Sequence, residues 1–137
     1  VIYSRNNIEY LTPADIEAII WAIVAEWPDE DIAVRDHAGL DSATHSPMNA
    51  PDGLCLLDIS ALYFQSFEGN QSLKNGNKRL AIYAVALFLE KNGHIYECDD
   101  DEAYTDIKQM VETRPFDKAA FASWLGTKVY PPIRAAS

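Results

Sequence analysis

A chain of 137 residues with 48% hydrophobic and 23% charged content has the length for one domain with a real core and the composition of an ordinary soluble globular protein. With 21 acidic against 11 basic residues its net charge is −10, and no Lys/Arg run gives a local exception, so nucleic acid and anionic membrane surfaces are excluded as expected partners. Cys55 and Cys98 share no metal-ligand spacing with His37, His45 or His94, which reads as two reduced core thiols in a cytoplasmic protein; VIYSRNNIEY has no apolar segment of signal-peptide type.

After an extended or irregular start, Thr12-Pro13-Ala14-Asp15 announces a helix, with Thr as N-cap, Pro at N1 and Asp at N3. Ile16, Ile19, Ile20, Ile23 and Val24 recur at helical spacing up to Trp27, and Pro28 stops the helix. Residues 28–53 hold turn signals and no long apolar period, predicting a loop with one short helix around Leu40 to Thr44; loops of this length usually serve a function. Leu54 to Phe67 is the next helix, with Leu57, Ala61, Phe64, Leu54 and Ile59 inward and Glu68-Gly69-Asn70 at its end. Beyond it lies the longest apolar run, discussed below. His94 to Cys98 alternates weakly, as a short extended piece does. The acidic run Asp99 to Glu102 then precedes a helix from Ala103 to Glu112, where negative charge is favourable, and it lacks EF-hand spacing. A last helix runs from Phe116 to Leu125, with Phe116, Ala119, Ala120, Phe121 and Trp124 inward, and the tail YPPIRAAS is expected to fray. The sum is an all-α bundle in one domain over 1–137, wrapped on a buried central helix at about 78–92.

That central segment, Gln71 to Gly93, joins a polar turn to an apolar run. Leu80 to Leu89 carries no charge, and Ala81, Ala84 and Ala86 are strong helix formers. It is too short for a bilayer, which needs about 20 apolar residues, and charges close both ends. Asn92-Gly93 after Lys91 predicts a left-handed C-terminal cap. At the other end, Lys78 and Arg79 fall in the first helical turn, where cations oppose the helix dipole by roughly 0.3–1 kcal/mol each. An anion on the free N–H groups reverses that sign, and Gly76 allows close approach. The competing reading is that both cations pair with nearby carboxylates. The turn is not a P-loop, because Arg rather than Ser or Thr follows Lys78.

The run Gln71-Ser-Leu-Lys-Asn-Gly-Asn-Lys-Arg79 resembles the Fic/Doc signature H-x-F-x-[DE]-G-N-[GK]-R, with the continuation typical of the Doc branch: an apolar helix and an Asn-Gly turn. Gly76, Asn77, Lys78 and Arg79 match. Gln71 stands where the family has His, Leu73 where it has Phe, and Asn75 where it has the acidic residue. The Phe67-Glu68-Gly69-Asn70 run is a second partial likeness without the flanking His and Arg, read as coincidence.

The resemblance implies a Fic/Doc-like helical fold and a nucleotide-dependent transfer to a hydroxyl of a target protein: Fic enzymes attach AMP, and the Doc toxin phosphorylates elongation factor Tu. It implies that Gly76, Asn77, Lys78 and Arg79 bind phosphate, that the cofactor is ATP or another nucleotide with Mg²⁺, and that residues 28–53 contain a flap beside the site, with Arg35, Asp36, His37 and His45 as its polar groups. Gln71, at the catalytic His position, has no titrating group near neutral pH to act as general base, a role worth about 10²- to 10⁴-fold. Asn75 offers a metal only a neutral carbonyl oxygen. Three functions follow: a Doc-like protein with phosphate binding retained and transfer lost or reduced, an active transferase with altered chemistry, and a helical interaction module that binds no nucleotide. Doc toxins are usually encoded beside an antitoxin. No inhibitory [ST]-x-x-x-E-[GN] motif occurs here, so a regulator is expected to be a separate chain.

Overall fold

The computed structural model describes residues 3–134. The order is β1 (Ser4–Arg5), β2 (Ile8–Glu9), α1 (Pro13–Glu26), α2 (His37–His45), a 3₁₀ turn (Ser46–Asn49), α3 (Leu56–Asn70), α4 (Asn77–Lys91), β3 (Ile95–Tyr96), α5 (Asp100–Glu112), α6 (Lys118–Gly126) and β4 (Val129–Tyr130). It is an all-α bundle with only two-residue strands. Of the two alternatives for the start, extended chain is the one found, closed into a hairpin: Asn6 and Asn7 both take positive φ, the geometry of a tight I′ turn between β1 and β2. The second hairpin pairs β3 with β4, so Tyr130, expected to fray, is held opposite Ile95. Ala135 to Ser137, the rest of that expectation, lie outside the described residues.

Helix α4 is the centre. Leu80, Ala81, Ala84, Val85, Phe88 and Leu89 are fully enclosed between α3 and α1. Burying each large apolar side chain contributes about 1.5–3 kcal/mol. Its C-terminus closes as a Schellman motif: Gly93 takes φ +86, His94 N–H donates to Leu89 O at 2.9 Å, and Gly93 N–H to Glu90 O at 3.1 Å. Helix α3 lies along α4 and buries Ile59, Tyr63, Phe64 and Phe67. The Tyr63 hydroxyl accepts from Leu11 N–H at 3.0 Å, tying the arm before α1 to the core. Phe64 stacks on Phe116 and Phe121, which draws α6 and the turn before it over α3.

Several expectations are corrected. Helix α2 begins three residues before Leu40, because Asp36 caps it by accepting from Gly39 N–H at 2.9 Å. Helix α5 starts inside the acidic run, with Asp99 as N-cap accepting from Asp101 and Glu102 N–H. Helix α6 starts at Lys118, capped by Asp117, and Ala119 faces solvent while Phe121 and Leu125 fill the core. Val24 of α1 faces outward, Leu54 lies before α3 rather than within it, and both cysteines, unpaired as expected, are half-buried rather than core.

Candidate functional site

The α3–α4 connection is built by its own amide side chains. Gln71 caps α3 in the left-handed conformation, φ 51 and ψ 45. Its Nε2 donates to Glu68 O, and its Oε1 accepts from Asn77 Nδ2 at 3.3 Å. Arg35 Nε donates to Gln71 O at 2.8 Å from the opposite side. Asn77 is buried and folds back on the turn: Oδ1 accepts from Leu73 N–H at 3.0 Å and Nδ2 donates to Leu73 O at 2.9 Å. The side chain expected to hold phosphate is therefore committed to the loop, and only its backbone N–H remains for a ligand. Gly76, at φ +89, supplies the left-handed residue from which α4 departs, and no side chain caps the helix.

The 28–53 segment does lie against this turn. Val34 bridges Leu73 in antiparallel fashion, with Lys74 N–H to Ala33 O and Arg35 N–H to Ser72 O both at 2.9 Å. Leu73, at the family's Phe position, is fully buried beneath that contact. Of the polar groups expected in the flap, Arg35 touches the turn and Asp36 caps α2. His45 instead sits between Tyr3 hydroxyl at 3.0 Å and Asp41 O at 2.8 Å. His37, His45 and His94 all lie off the cleft described next.

Before the α4 N-terminus lies an open cleft of about 710 Å³, lined by Gln71, Lys74, Asn75, Gly76, Asn77, Lys78 and Arg79, by Asp29, Glu30 and Asp31 after α1, and by Glu68 and Tyr104. Its charges are mixed. Arg79 is engaged two-pronged by Glu30 while its guanidinium carbon stacks 4.0 Å from the Trp27 ring centre. The hydrogen bonds that Arg79 donates to Glu30 raise the Arg79 pKa and lower that of Glu30. Lys74 pairs with Asp31 at 3.3 Å, and Asn75 Nδ2 donates to Asp31 O at 2.9 Å. Lys78 is exposed and has no ion-pair partner among the described residues. The expected competition between pairing and anion binding is thus divided: Arg79 is paired, Lys78 is not.

Glu68 is the residue that sequence reasoning missed. It is 5% exposed, lines the cleft one turn before Gln71, and meets a single cation, Arg114 Nη2 at 3.6 Å. Its acidic side chain on an otherwise apolar helix face was the available signal. Among the described residues no cluster of three or more His, Cys, Asp or Glu side chains is arranged to hold a metal. A divalent ion here would be carried mainly by ligand phosphates, with the Asn75 carbonyl as the candidate protein donor.

The chain is 34% identical over 100 residues to a protein named Toxin Doc from Mycolicibacterium smegmatis, across 69% of this chain and 77% of the relative. The chain belongs to the Doc toxin family. No family model matches it. No helix of the described residues is long and apolar enough to cross a membrane.

Proposed function

We propose that this Doc-family protein is of toxin–antitoxin or prophage-maintenance type, that it binds the phosphates of a nucleotide at the start of α4, and that transfer to a target hydroxyl is lost or reduced. The observation that carries the reading is the uncapped α4 N-terminus opening into the cleft beside an unpaired Lys78. Three orphan N–H groups, the helix dipole and a free ammonium converge where an anion would sit. Gly76, Asn77 and Lys78 contribute backbone and charge, and Arg79 joins them once a phosphate displaces Glu30. Gln71 supports the loss of transfer, since its amide is spent on Glu68 O and Asn77 and cannot take up a proton near neutral pH.

A second reading, transfer by altered chemistry, is favoured by Glu68, a carboxylate in the same cleft. The family relationship further supports an antitoxin-like regulator, a protein target and a cytoplasmic setting as partners and place. The test is isothermal titration with ATP and AMP, with and without Mg²⁺, beside Arg79→Ala and Lys78→Ala. Millimolar or tighter binding that both variants weaken is expected, and no heat at millimolar nucleotide overturns the phosphate reading. A transfer assay then compares the wild type with Gln71→His and Glu68→Gln. Activity only in Gln71→His supports loss, whereas wild-type activity abolished by Glu68→Gln supports the second reading.

A further inference from the structure

A second cleft, about 300 Å³, opens on the other side of the α4 start, between α4 and α5. Its walls are Trp27, Tyr83, Tyr96 and Tyr104 with Ile82 and Ile107, an aromatic lining that no core packing requires to stay open. Lys78, Arg79 and Tyr104 line both this cleft and the one before the helix, so the two adjoin across the same cations. Asp100 and Asp101 in the first turn of α5 also line it, as does Lys108 further along the same helix, and neither carboxylate is engaged in an ion pair among the described residues. Tyr83 is fixed by a 3.1 Å bond from its hydroxyl to Glu26, and Tyr104 is 61% exposed, free to swing over a bound ring. Burial first, then the Glu26 bond and charge and the nearby Asp100 carboxylate, push the Tyr83 phenol up to about 12, so it remains a neutral ring.

The occupant is read from this lining. A flat ring is favoured by aromatic walls, an anionic tail by Lys78, and N–H donors on the ring edge by carboxylates that only accept. The volume sits at the lower limit of ligand pockets, about 300 Å³, which suits a base with part of a sugar while the phosphates occupy the neighbouring cleft. Guanine presents a ring N–H and an amino group side by side, whereas adenine presents one amino group. Resting on the phosphate reading above, we infer that this cleft is a nucleobase subsite which favours guanine nucleotides over adenine ones, with Tyr104 as the covering ring and Asp100 and Asp101 reading the donor edge.

The experiment is titration of the full chain with inorganic tripolyphosphate, GTP and ATP, repeated with Tyr104→Ala and with Asp100→Asn/Asp101→Asn. GTP is expected to bind at least about tenfold tighter than tripolyphosphate and several-fold tighter than ATP, a tenfold step being about 1.4 kcal/mol. Tyr104→Ala should weaken both nucleotides by a clearly larger factor than it weakens tripolyphosphate, whose own cleft Tyr104 also borders. The double Asn variant should erase the GTP preference. If tripolyphosphate binds and neither nucleotide binds tighter, the subsite is wrong and the phosphate site stands. Equal GTP and ATP affinities, both above tripolyphosphate, overturn the guanine assignment. If nothing binds, the phosphate site fails and the subsite with it.

Discussion

Helices α1 and α4 lie against each other and start in opposite ways. At α1, Thr12 and Asp15 exchange side-chain bonds with each other's backbone, 2.9 and 3.1 Å, and Lys91 from the last turn of α4 reaches Asp15 at 2.5 Å. Every signal there satisfies the helix: Pro at N1, acid in the first turn, and a cation drawn from a C-terminal turn. At α4 the N-cap is a glycine with no side chain, the first turn carries Lys78 and Arg79, and the flanking amides of Gln71 and Asn77 bond to the loop instead of the helix. The first arrangement maximises stability. The second leaves donors and charge unspent, which is what a ligand site requires and a purely structural helix start avoids.

The largest effect should come from the loop that holds α4 open. Asn77→Ala strands the buried Leu73 N–H and C=O together and releases Gln71, so a loss of about 2–4 kcal/mol is expected, read as a lower denaturant midpoint. A change within about 0.5 kcal/mol would mean that the turn is held by the Val34–Leu73 pairing alone.

Next in size is the division of labour between the two cations. Lys78→Ala should weaken tripolyphosphate about tenfold through loss of one charge-assisted contact, with the unfolding midpoint slightly raised because a cation opposed by the helix dipole is gone. Glu30→Ala should do the reverse and strengthen binding, because Arg79 is then free to turn its fork to the anion. The carboxyl of Glu30 is held below its ordinary 4.5 by Arg79, so the pair is intact above that value and dissolves only as pH falls through the lowered pKa. Binding by the wild type near neutral pH should accordingly show the competition, and Glu30→Ala should remove it. Equal affinities for wild type and Glu30→Ala would exclude Arg79 from the anion site.

What was legible in the sequence follows the same line between local and tertiary causes. The α1 cap, the Gly93 stop and the central apolar run were readable because each is decided within a few residues of chain. The α2 start escaped because the Asp36 cap lies among turn-forming neighbours, and the α5 start because its acids are part of the first turn rather than a prelude to it. Trp21 and Val24 share the hydrophobic character of Ile19 and Ile23, yet fall on the side of α1 that no other helix covers. In the site, the Gly76–Arg79 turn was visible from its motif. The pairing of Arg79 with Glu30, 49 residues apart, and the burial of Glu68 under the α5–α6 turn depend on the packed fold.

On the capped side, Thr12→Ala should cost about 1 kcal/mol, the usual worth of an N-cap. Burial pushes the Asp15 carboxyl up, but the Lys91 and Thr12 bonds together outweigh it and leave the pKa below 3.8. Its contribution to stability is therefore complete above that value and lost as pH falls through the lowered folded pKa. Unfolding midpoints measured from pH 6 to pH 2 should fall more steeply for wild type than for Asp15→Asn. Parallel curves would assign the acid sensitivity to other carboxylates.

Reversing the charge of Lys78 tests the contrast most directly. Lys78→Glu replaces a cation opposed by the α4 dipole with an anion favoured by it, at an exposed position that packs against nothing in the core. If the first turn of α4 were only a helix start, the substitution would be a simple improvement, worth about 0.3–1 kcal/mol for the removed cation and a similar amount for the added carboxylate. The expected result is a slightly raised unfolding midpoint together with complete loss of tripolyphosphate binding. Stability gained at the expense of binding identifies the uncapped, cationic start as a feature kept for its ligand. A raised midpoint with binding unchanged would place the anion elsewhere, and a lowered midpoint would mean that Lys78 already has a structural partner in solution.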